Sequence, residues 1–154
     1  MKILFWGTPA FAVPSLLALS DEGHDIVGVV TQPDRPAGRG RQLQASAVKE
    51  AALEDGLTVL EPESPEGDAF LEEISGLGAD LSVVVAYGQM LVGEVLDVPP
   101  MGSLNLHASL LPALRGAAPI NWSIVRGGTV TGVTVMRIVE KMDAGPILFQ
   151  GSCH

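Results

Sequence analysis

Three short runs are nearly unbroken in apolar residues: Lys2 to Trp6, Ile26 to Val30 and Leu81 to Ala86. A half-exposed strand alternates polar and apolar positions. A run that is apolar throughout fits a strand covered on both faces, as in the middle of a parallel sheet. Parallel strands need long crossovers, usually helical. The first connection fits: Gly7-Thr8-Pro9 turns the chain, and Pro9 suits a first helical turn. Phe11, Leu16, Leu17 and Leu19 then give that helix apolar side chains, and Gly23 ends it before Ile26. The opening β-α-β unit predicts an α/β chain with a Rossmann-like, mostly parallel twisted sheet and helices on both faces.

Further along, Ala45 to Asp55 and Asp68 to Ile74 read as helices, with a short strand over Thr58 to Leu60. A short helix is expected over Met90 to Leu96, closed by Pro99-Pro100. Pro119 is expected to open a helix containing Ile120, Trp122, Ile124 and Val125. Val130 to Val139 reads as a long strand, Glu140 to Gly145 as a turn, and Pro146 to Phe149 as the start of a last strand. Thr31 to Leu43 is rich in Pro and Gly and reads as an irregular loop. It sets Arg35, Arg39 and Arg41 against one acid, Asp34. Either it is a solvated loop or it meets phosphate on a substrate; its charge alone leaves both open.

Several function classes are disfavoured. The first turn carries one glycine rather than G-x-G-x-x-G, which argues against a dinucleotide site. A net charge of −9 has the wrong sign for a free-standing nucleic-acid binder. One cysteine, Cys153, excludes an internal disulfide and a Cys-based zinc site, and no His/Asp/Glu cluster has ligand spacing, so no metal is expected. The apolar start, Met1 to Trp6, is too short for a signal-peptide core, and no run approaches a membrane span. A cytoplasmic protein without membrane contact is expected.

The stretch with most chemistry is Ser103 to Trp122, S-L-N-L-H-A-S-L-L-P-A-L-R-G-A-A-P-I-N-W. Ser103 to His107 alternates at strand period, with Leu104 and Leu106 on one face and Ser103, Asn105 and His107 on the other. Asn105 and His107 can therefore converge on one polar group. Pro112 takes the chain out of the sheet just beyond them, so the pair belongs at a strand's carboxyl end, where open α/β sheets bind ligands. Asp143, in the later turn, completes a set of amide, imidazole and carboxylate. Such a set suits attack on a carbonyl: a donor for the developing oxyanion, a proton-transfer group, and an orienting charge. Ser109 lacks the G-x-S-x-G elbow of a nucleophilic serine, so the substrate is expected to bring its own nucleophile.

N-L-H-A-S-L-L-P-A-L-R-G-A-A-P-I-N-W, with T-G-V-T-V-M-R-I and M-D-A-G after it, resembles the folate-dependent formyltransferases. F-W-G-T-P-A-F and T-Q-P-D-R-P-A-G-R-G narrow the resemblance to members that formylate initiator methionyl-tRNA. It spans residues 1–154 and implies the formyltransferase fold, with 10-formyltetrahydrofolate as donor and the methionyl amine as acceptor. It implies Asn105, His107 and Asp143 as the catalytic set. Ser109, Leu110, Leu111 and Pro112 would border the folate, with Tyr87, Gly88 and Met90 lining its pterin pocket. Arg39 and Arg41 would meet the tRNA. The same resemblance implies a monomeric catalytic domain cut short, without the C-terminal β-barrel that helps hold tRNA. M-D-A-G-P-I is closer to the D-x-G-P-I of formyltransferases acting on glycinamide ribonucleotide. That acceptor, an amino sugar nucleotide, and an inactive folate- or nucleotide-binding domain are the alternatives.

Overall fold

The computed structural model describes residues 1–91, 93–116, 119–120, 125–127, 129–139 and 143–153. In chain order its strands are β1 Lys2–Gly7, β2 Asp25–Val30, β3 Arg35–Ala37, β4 Gln42–Gln44, β5 Val59–Leu60, β6 Leu81–Val85, β7 Ser103–His107, β8 Thr131–Arg137 and β9 Ile147–Cys153. The helices are α1 Val13–Asp21, α2 Ala47–Glu54, α3 Asp68–Gly76 and α4 Glu94–Asp97.

One seven-stranded sheet runs in the order β5-β2-β1-β6-β7-β8-β9. β5, β2, β1, β6 and β7 are mutually parallel, whereas β8 and β9 join antiparallel at the edge. The chain winds outward from β1 through β2 to β5, then returns to add β6 on β1's other side. The reversal leaves a crevice outside the carboxyl ends of β1 and β6, the place where doubly wound sheets take ligands.

β1 shows why the first run is apolar throughout. Ile3 and Phe5 pack with Leu16, Val48 and Ala52 on one face. Leu4 and Trp6 pack with Phe70, Ile74 and Tyr87 on the other. Burying each such side chain contributes roughly 1.5–3 kcal/mol. Trp6 also donates through Nε1 to Ser82 Oγ at 3.2 Å, and its ring meets those of Tyr87 and Phe70 edge-on at 5.3 and 6.0 Å.

Two expectations need correction. Residues 31–43 are not wholly irregular: β3 and β4 pair antiparallel, Arg35 opposite Gln44 and Ala37 opposite Gln42. Pro36 is tolerated because this two-stranded ribbon is all edge. The helix expected over Met90 to Leu96 is only the one-turn α4. Gly93, at φ +61°, takes a left-handed backbone that does not extend a helix toward Met90. Trp122 and Ile124 of the helix expected after Pro119 lie outside the described residues, as do Glu140, Lys141 and Met142 of the expected turn.

Candidate active site

β7 is paired on both sides, with β6 in parallel and β8 antiparallel. The strand's two-residue period therefore holds Asn105 and His107 on a common face. Beyond His107 the chain folds back on itself. Ser109 Oγ donates to the Ala113 carbonyl at 2.6 Å, and the Leu111–Pro112 peptide is cis. The fold-back presents the Leu114 carbonyl to His107 Nε2 at 2.8 Å. A carbonyl can only accept, so Nε2 carries hydrogen and the neutral ring keeps its lone pair on Nδ1.

That lone pair faces Asp143. The carboxylate Oδ1 is 3.7 Å from Nδ1, and Oδ2 accepts the Gly116 backbone N–H at 2.7 Å. Asp143 thereby ties the β8–β9 connection to the loop after β7 and sets a negative charge where a proton taken up at Nδ1 would sit. Leu114 and Asp143 both hold left-handed backbone, at φ +53° and +52°. Such conformations cost non-glycine residues about 1–3 kcal/mol and cluster at functional sites. Here both belong to residues that contact one imidazole.

Asn105, His107 and Asp143 share the wall of a cavity of about 610 Å³ with Tyr87, Gly88 and Met90. It opens at the carboxyl ends of β6 and β7. The opposite wall is the turn after β6. Ala86 and Gly88 both have positive φ there, +51° and +98°. Thr8 Oγ1 and Gln32 Nε2 both donate to the Tyr87 carbonyl, at 2.6 and 3.1 Å. The missing side chain of Gly88 makes room for Gln32, whose amide nitrogen a Cβ at 88 would strike. Tyr87 itself is buried, and burial pushes its phenol up to about 12. Its hydroxyl finds no hydrogen-bond partner among the described residues.

The expected site residues therefore divide. Asn105, His107, Asp143, Tyr87, Gly88 and Met90 come together on one cavity. Ser109, Leu110, Leu111 and Pro112 are not among the residues that line it. Ser109 and Leu111 are buried in the fold-back, where Thr134 Oγ1 donates to the Ser109 carbonyl at 2.7 Å and accepts the Leu111 N–H at 3.1 Å. Arg39 and Arg41 sit at the exposed tip between β3 and β4, away from the cavity wall. Thr134, Gln32 and the Leu114 carbonyl were not foreseen. A threonine on a V-T-V strand and a glutamine at a strand end carry no local mark of such roles. Among the described residues no group of three or more His, Cys, Asp or Glu is placed to hold a metal ion. No described helix is long and apolar enough to cross a membrane.

The formyl transferase family matches residues 1–154. Methionyl-tRNA formyltransferase from Ruminiclostridium cellulolyticum is 53% identical over 150 residues, which cover 97% of this chain and 48% of that protein. The protein of the same name from Parasynechococcus marenigrum is 56% identical over 151 residues, 97% of this chain and 45% of its own length. The chain thus spans about half the length of the curated relatives it matches. Among solved structures, glycinamide ribonucleotide transformylase 1 from Symbiobacterium toebii superposes with a TM-score of 0.78 at 24% identity, covering 99% of this chain and 73% of that one. A formyltetrahydrofolate deformylase from Pseudomonas syringae gives 0.73 at 24%, covering 99% and 50%. These structural likenesses bear on the fold alone.

Proposed function

This chain belongs to the formyl transferase family, and on that footing we propose that it forms the catalytic portion of an enzyme moving a formyl group from 10-formyltetrahydrofolate to the amine of initiator methionyl-tRNA. The observation that carries the reading is the meeting of Asn105, His107 and Asp143 on one cavity at the sheet's carboxyl edge. The choice of acceptor is supported by the names of relatives 53–56% identical. The cavity fits a folate donor in kind: about 610 Å³, with Met90, Ile120 and Val139 as apolar lining and a few convergent polar groups. When bound, the donor supplies an activated formyl carbon.

The chain's own residues do the rest. The Asn105 side-chain amide donates toward the formyl oxygen as negative charge gathers there. A fixed donor of this kind is typically worth about 10²–10³ in turnover. As the amine bonds to the formyl carbon, His107 Nδ1 takes the proton the amine gives up, and the ring becomes a cation between the Leu114 carbonyl and Asp143. It returns that proton to the tetrahydrofolate nitrogen as the bond from that nitrogen to the formyl carbon breaks. Asp143 balances that charge, while its bond to the Gly116 N–H holds the carboxylate in place. Arg39 and Arg41, at the hairpin tip, meet acceptor-stem phosphates, and Ser109 to Pro112 stiffen the cavity's floor from behind. Incubation with 10-formyltetrahydrofolate and methionyl-tRNA should yield formylmethionyl-tRNA. Formylation of glycinamide ribonucleotide or an amino sugar nucleotide in its place would assign a different acceptor. Donor binding without transfer to any amine would leave a binding domain.

A further inference from the structure

We infer that Gln32 is a positioning residue whose side-chain amide joins the β3–β4 hairpin to the wall of the cavity, so that the hairpin's placement is felt at the donor pocket. The pocket's identity rests on the reading above; the link itself rests on geometry.

Each end of the Gln32 amide has a distinct partner. Oε1 accepts from Arg35 Nη2 at 2.8 Å, and Nε2 donates to the Tyr87 carbonyl at 3.1 Å. The arrangement leaves no choice of amide orientation, because a guanidinium only donates and a carbonyl only accepts. Arg35 opens β3. Tyr87 and Gly88 form the wall. One side chain therefore bridges two segments more than fifty positions apart in sequence. The wall is poised to respond. Its two positive-φ residues, Ala86 and Gly88, flank a peptide carbonyl held only by Thr8 and Gln32 among the described bonds.

The hairpin side is anchored too. Lys49 of α2 holds Asp34 at 3.0 Å and Glu61 at 2.8 Å, so the residues just before β3 are tied to both α2 and the end of β5. Thr31 Oγ1 and Ser46 Oγ, 2.6 Å apart, close the same junction. A load on the hairpin is therefore borne at its base, where Arg35 grips Gln32.

Two substitutions separate the halves of the link. Gln32→Glu keeps an acceptor for Arg35 but faces the Tyr87 carbonyl with an oxygen that cannot donate. Arg35→Ala keeps the Tyr87 bond but frees the far end of the amide. Isotope-labelled chain reports the wall directly, without ligand, through the Gly88 amide and Tyr87 carbonyl resonances. Both substitutions should move them, Arg35→Lys should largely restore them, and Arg39→Ala at the hairpin tip should leave them in place. With tetrahydrofolate as probe, Gln32→Glu should raise the Kd about five- to tenfold, the effect of about one hydrogen bond. Arg35→Ala should raise it less, and should add nothing in the Gln32→Glu background. If either single substitution leaves the Gly88 resonance where it was, or if the two effects on Kd multiply, the link is refuted. If the unsubstituted chain does not bind tetrahydrofolate, the formyl-donor reading falls and the resonances alone decide the link.

Discussion

Thr134 is fully buried on β8, and its hydroxyl makes three hydrogen bonds. It donates to the Ser109 carbonyl at 2.7 Å and accepts from the Leu111 N–H at 3.1 Å and Gln150 Nε2 at 2.9 Å. A hydroxyl has one hydrogen and two lone pairs, so its capacity is spent. Thr134→Val keeps the shape and removes all three bonds. Gln150 retains the Leu111 carbonyl at 3.0 Å, but the Ser109 carbonyl and Leu111 N–H lose the partner Thr134 supplied. Leaving a buried group unsatisfied costs about 1–3 kcal/mol. With two such groups, and a small return from the added methyl, the expected loss is about 2–5 kcal/mol. At roughly 2–4 °C per kcal/mol for a domain of this size, the thermal midpoint should fall by about 4–20 °C. Urea denaturation followed by tryptophan fluorescence, with the slope unchanged, is the assay. Because this loop also carries the Leu114 carbonyl that holds His107, formyl transfer should fall further than the unfolded fraction explains. A stability loss below about 0.5 kcal/mol would refute the idea that Thr134 is the strut of the fold-back.

Other expectations follow from the same structure. Tyr87 is the single tyrosine, so tyrosinate absorbance reports it alone. With its pKa pushed up to about 12, the folded chain should show almost no tyrosinate at pH 10, where a free phenol is half ionised. Between those values the unfolded chain loses the proton and the folded chain keeps it, so stability should fall as pH rises through that window and level beyond it. Tyr87→Phe should shrink that fall and, since the hydroxyl has no partner among the described residues, cost little at neutral pH. The Glu61 and Asp34 carboxylates hold the Lys49 ammonium above its ordinary pKa. Lys49→Met should release Asp34 and speed tryptic cleavage after Arg39 and Arg41, and an unchanged cleavage rate would argue that the hairpin is anchored elsewhere.

The sheet was legible because its signals are local. β1, β2 and β6 announce themselves by apolar runs, and β7 by its alternation, whose bounds Ser103 to His107 the structure keeps. The same alternation placed Asn105 beside His107. Asp143 was picked out by its turn, but its approach to the ring depends on how β8 and β9 connect, which no local pattern gives. What could not be read was pairing between distant groups. The β3–β4 hairpin hides behind Pro36 and two glycines that by composition spell a loop. Ser109 to Pro112 were placed beside the folate by the resemblance alone, and no local signal shows which of them the sheet holds. Ser109 and Leu111 are buried there because Thr134 and Gln150, from the edge strands, bond their backbone. The close contact of Gln32 with Gly88 likewise joins segments far apart in the chain, and no local signal marks it.

The claim on which the account turns is that the Asn105 amide acts on the formyl oxygen during transfer. A single-turnover rate of formyl transfer to methionyl-tRNA, with Asn105→Ala beside the unsubstituted protein, tests it most directly. If the amide has that role, the variant's rate is lower by about 10²–10³, with the thermal midpoint and tetrahydrofolate affinity nearly unchanged. A rate within a few-fold of the original, in a folded variant that binds donor normally, would contradict it.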